Sequence, residues 1–73
     1  DASMGQMAAI RALEETGELD KLPGKLRETA FLRKENPEAT LQELAAMLEP
    51  PITKSAINHR MRKLLELARA LEE

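Results

Sequence analysis

Apolar residues recur at helical spacing in four stretches of the chain, the first three closed by glycine or proline. Ser3, with Gln6 three places on, fits a capping box ahead of the stripe Met7, Ile10, Ala12 and Leu13, and Gly17 stands where a helix ends in a left-handed residue. A first helix is therefore expected over about 4–16. Pro23 suits a first helical turn, and Leu26, Ala30, Phe31 and Leu32 recur at the same period until Asn36-Pro37 ends the run, which predicts a second helix over about 23–35. Thr40 and Glu43 form another capping box before Leu41, Leu44, Ala45 and Leu48, and Pro50-Pro51 halts this third helix, about 41–48. Thr53 caps the fourth, about 54–71, whose apolar positions are Ile57, Met61, Leu64, Leu65, Ala68 and Leu71. No strand alternation and no repeat interrupts the pattern. The chain reads as all-α, a compact four-helix domain, and 73 residues suffice for one thin core.

The fourth helix carries the most information. At about 100° per residue, Ile57, Met61, Leu64, Ala68 and Leu71 fall within an arc of about 80°, with Leu65 on the flank. Ser55, Asn58, His59, Arg62 and Lys63 fall opposite them. One periodicity thus buries one side of the helix and turns a polar, cationic strip outward. A short capped helix, a Pro-containing turn and a longer helix with a basic outer face is the layout of a helix-turn-helix, whose second member enters the major groove.

The net charge of −2 argues against nucleic acid until the charges are placed along the chain. Residues 1–20 hold Arg11 against five acids, and residues 35–53 are purely acidic, with Glu35, Glu38, Glu43 and Glu49. Residues 54–63 carry Lys54, Arg60, Arg62 and Lys63 with no acid. A basic island therefore coincides with the outward face of the last helix. With no cysteine and one histidine, neither a disulfide scaffold nor an ordinary zinc site can be assembled, and no cofactor is implied. Apolar runs are far shorter than the ~20 residues a membrane span needs, so a cytoplasmic, nucleoid-associated protein is expected. The opening DASMGQMAAI lacks an initiator Met and leads straight into a helical pattern, so the chain is expected to be a piece of something longer.

Residue chemistry assigns the strip. Arg bridges guanine O6 and N7, Asn bridges adenine N6 and N7, and Arg62 lies one helical turn after Asn58. Asn58, His59 and Arg62 are therefore expected toward base edges of double-stranded DNA. Lys54, Ser55 and Lys63 are expected toward phosphates. Thr40 caps the third helix, whose first turn faces the backbone in this layout, and is added to the phosphate contacts. Arg60 lies nearer the buried stripe, where it either pairs with an acid of the second or third helix or reaches a phosphate. Lys21, Lys25, Arg27, Arg33 and Lys34 spread around the second helix and read as a solvated face, with a second DNA site as the alternative. His59 has no nucleophile or orienting acid nearby in sequence, so no catalysis is expected.

The stretches LPGKLRETAFLRKENPEATLQEL and PPITKSAINHRMRKLLELA closely resemble the C-terminal domain of the WhiA family of bacterial transcription regulators. The run Lys54, Ser55, Asn58, His59, Arg60, followed by Arg62-Lys63-Leu64, is the specific part of the likeness, which continues weakly through the first helix. Ala56 departs from the glycine usual in the family pattern, a change that favours the helix. The resemblance implies a helix-turn-helix similar to sigma factor region 4. It also implies attachment, in the complete protein, to an N-terminal domain like a LAGLIDADG homing endonuclease without its cleavage chemistry. Such regulators act in sporulation and cell division, in some lineages with an iron-sulfur partner of the WhiB type. The competing expectation is a protein-interaction module that docks RNA polymerase or a co-regulator through its acidic segments, or a sigma region 4 itself.

Overall fold

The computed structural model describes residues 2–72, with side chains from residue 5 onward, and consists of four α-helices without a strand among those residues. Helix α1 (Ala2–Glu15) is rich in alanine and runs into Gly17, whose φ of 81° is a left-handed conformation that glycine adopts without steric cost. The backbone is already helical at Ser3, so the capping box expected of Ser3 and Gln6 does not open the helix; the Ser3 side chain lies outside the described residues. Gln6 is buried instead. A 3-10 turn at Glu18–Lys21, not anticipated from the pattern, drops Leu19 into the core before Pro23 opens α2 (Gly24–Glu35).

Helix α3 (Leu41–Met47) starts at the Thr40–Glu43 capping box. The Glu43 N–H donates to Thr40 Oγ1 at 3.1 Å, and the Thr40 N–H donates to Glu43 Oε1 at 2.7 Å. Hydrogen bonds to the charged form from the Thr40 backbone N–H and side chain hold the Glu43 carboxyl below the usual carboxylate range. Helix α4 (Lys54–Ala70) packs across α1, α2 and α3 and is the spine of the domain. Ile57, Met61, Leu64 and Ala68 from α4 meet Ala9, Ile10 and Leu13 of α1, Ala30 of α2, and Leu44, Ala45 and Leu48 of the α3 segment in one core. Leu71, counted in the apolar stripe, lies just past the helix end and is exposed.

Helix α2 departs furthest from its apolar pattern. Phe31 is 40% exposed, with the Lys34 ammonium 5.9 Å from its ring centroid, and Lys34 also pairs with Glu14 of α1. The inward face is Leu26, Thr29, Ala30 and Arg33, a perfect i, i+3, i+4, i+7 series. Arg33, expected on a solvated face, is 2% exposed. Its Nη1 donates to the carbonyls of Asn36 at 3.3 Å and Pro37 at 3.0 Å, so it closes the C-terminus of α2 from inside. Asn36 Nδ2 adds a bond to the Leu32 carbonyl at 3.0 Å. Burial lowers the Arg33 pKa from its ordinary value, and the negative end of the helix dipole offsets part of that cost.

Candidate nucleic-acid interface

The α3–turn–α4 unit is positioned by its apolar residues and fastened by its caps. Leu44, Ala45 and Leu48 seat α3 in the core. After Leu48 the chain leaves the helix with extended backbone, passes a cis Glu49–Pro50 peptide, and returns so that the Ile52 N–H donates to the Ala45 carbonyl at 3.1 Å. Thr53 Oγ1 then accepts from the Ala56 N–H at 3.0 Å, satisfying one of the free donors of the first turn of α4. The turn is thus tied to α3 at one end and to α4 at the other.

On α4 the buried residues and the polar strip fall on opposite sides. Ile57, Met61 and Leu64 are buried, whereas Lys54, Ser55, Asn58, His59, Arg62 and Lys63 are all exposed. Among the described residues the ion pairs are Lys21–Glu18 and Lys34–Glu14, so Lys54, Arg62 and Lys63 have no carboxylate partner to give up before meeting an external anion. Such a strip can neutralise phosphates and can present an amide and a guanidinium, one turn apart, to base edges. Thr40 sits apart at the start of α3; its hydroxyl and backbone N–H are both engaged in the capping box with Glu43.

Arg60 resolves between its two alternatives in an unexpected way. It is half-buried and crosses to α2, but its Nη1 donates to the hydroxyl of the buried Thr29 at 3.4 Å, not to an acid. Thr29 in turn donates to the Lys25 carbonyl at 2.9 Å. Lys25 of α2 lines one cleft with Arg60, Arg62 and Lys63 of α4, a grouping that residue spacing along either helix does not reveal. Among the described residues no helix is long and apolar enough to cross a membrane, and no group of three or more His, Cys, Asp or Glu side chains could hold a metal ion.

The family model of the WhiA C-terminal helix-turn-helix domain matches residues 1–68. Similar proteins include the probable cell division protein WhiA of Lactococcus lactis subsp. cremoris (strain MG1363), 49% identical over 72 residues, which cover 99% of this chain and 24% of the relative. The protein of the same name from Desulfitobacterium hafniense (strain Y51) is 51% identical over 73 residues, covering 100% of this chain and 23% of the relative. That from Thermoanaerobacter sp. (strain X514) is 45% identical over 73 residues, with the same 100% and 23% coverage. The chain therefore spans about a quarter of the length of the curated relatives it matches. No solved structure matches the chain.

Proposed function

The chain belongs to the family of WhiA C-terminal helix-turn-helix domains, and on that premise we propose that it binds double-stranded DNA sequence-selectively, with α4 as the recognition helix. The observation that carries this reading is the exposed, unpaired strip of α4 set opposite its buried side. Asn58, His59 and Arg62 face base edges, while Lys54, Ser55 and Lys63 take phosphates beside the groove. Thr40 lies beside a further phosphate at the start of α3. Binding here catalyses nothing.

With about four phosphate contacts, this domain alone is a weak binder at physiological salt. Useful affinity comes from the rest of the protein, a homing-endonuclease-like N-terminal domain, and from a partner such as a WhiB-type co-regulator or RNA polymerase. The whole protein then acts in the cytoplasm, on the nucleoid, as a transcription regulator of sporulation and cell division. The relatives' name, probable cell division protein, supports the cell-division part of that role.

Rounds of binding-site selection from a randomised duplex pool test the proposal. The chain should recover a defined consensus, and on that duplex Arg62→Ala should weaken binding roughly 5- to 150-fold, about 1–3 kcal/mol, and relax preference at a single base pair. Lys63→Ala should act differently, weakening all duplexes alike and reducing the slope of log affinity against log salt by about 0.9. Recovery of no consensus, together with an affinity insensitive to salt, would overturn the reading.

A further inference from the structure

Helices α2 and α4 part at the start of α2 and leave a cleft of about 670 Å3 between them. Pro23, Leu26 and Ala56 give it an apolar floor. Its charged walls are Lys25 from α2 and Arg60, Arg62 and Lys63 from α4, against one carboxylate, Glu66. None of the four cations is ion-paired among the described residues. Like charges gathered around a concavity repel one another, and an anion seated there relieves the repulsion.

We propose that this cleft seats a backbone phosphate of bound duplex, so that Lys25 and Arg60 extend the contact surface beyond the helix-turn-helix; the inference rests on the DNA-binding reading above. Three features argue for a phosphodiester. Arg60 is held from within the protein: the buried Thr29 hydroxyl, in the second turn of α2, accepts from its Nη1. That first turn carries no acidic residue, and Pro23 supplies no side-chain cap, so the positive end of a 12-residue helix adds to the side-chain charges. Finally, His59, Arg62 and Lys63 line the cleft and also form the outward strip of α4, so a strand flanking the groove under Arg62 runs into it without a break. The apolar floor suits the carbon face of a deoxyribose.

The test is a salt series of duplex affinities, on the selected consensus, for the chain and four variants, Arg62→Ala among them. Lys25→Ala should weaken binding about 8-fold near 0.1 M salt and reduce the salt slope by about 0.9, the loss of one phosphate contact. Glu66→Gln removes the single opposing carboxylate and should tighten binding. Lys21→Ala, at a side chain 73% exposed and paired with Glu18 away from the cleft, should match the parent chain. If Lys25→Ala and Glu66→Gln both bind like the parent while Arg62→Ala is weakened, the cleft proposal fails and DNA recognition by α4 stands. If no form of the chain binds duplex, both fail. Amide shifts at residues 24–26 that respond to inorganic phosphate but not to duplex would likewise overturn the proposal, because the anion site would then lie outside the DNA contact.

Discussion

Truncation of Leu64 to alanine should destabilise the fold by about 2–5 kcal/mol, because a wholly buried side chain at the centre of α4 is replaced by a cavity walled by several helices. A domain of this length has roughly 4–11 kcal/mol of total stability, so the variant should lie close to unfolding at ambient temperature. Its melting temperature should fall on the order of 10–30 °C. Far-UV circular dichroism is the suitable probe, since the chain has neither Trp nor Tyr to report by fluorescence. The neighbouring Leu65 is 38% exposed, and its truncation should cost well under half as much. Arg62→Ala should leave the melting temperature essentially unchanged while weakening DNA. If Leu64→Ala and Leu65→Ala melted alike, the inward face of α4 would be wrongly placed, and the outward strip with it.

Much of this architecture can be read from residue order. Helix α4 shows its inward face because that face is uniformly apolar from Ile57 to Ala68, and the Thr40 and Thr53 caps announce the helix starts with side chains that can do little else at those positions. Helices α1 and α2 conceal theirs. In α1 the buried series is Gln6, Ala9, Ile10 and Leu13; in α2 it is Leu26, Thr29, Ala30 and Arg33. Both keep the i, i+3, i+4, i+7 spacing, but each places a polar residue where a search for apolar types does not look. Phe31, the largest apolar side chain of α2, misdirects the phase by about a third of a turn. The exposed strip of α4 proposed to face DNA could be inferred because one helix contains all of it. The cleft could not, because Lys25 and Arg60 are 35 positions apart and come together only when α2 packs on α4.

Arg33 is the position where this concealed face matters most, and Arg33→Ala should cost about 3 kcal/mol. Its guanidinium donates to the Asn36 and Pro37 carbonyls with no carboxylate to balance it among the described residues, and its Nε has no partner there. Alanine would leave those carbonyls without their charged donor and open a void beneath α2, and hydrogen bonds to a charged donor are worth about 1.5–3 kcal/mol. Arg33→Met keeps most of the volume and removes the desolvation cost of the charge, so it should be markedly less harmful than alanine. The effect should also reach the interface. The bonds from Arg33 set the chain between Glu35 and Thr40, which aims α3 and hence the turn into α4. Arg33→Ala under conditions where it remains folded should therefore weaken duplex binding although Arg33 itself is buried away from DNA, and Arg33→Met should share that loss because it too lacks the donors. Urea unfolding followed by circular dichroism gives the first comparison and a duplex titration the second. A parent-like midpoint for Arg33→Ala would mean that the buried guanidinium does not hold this turn.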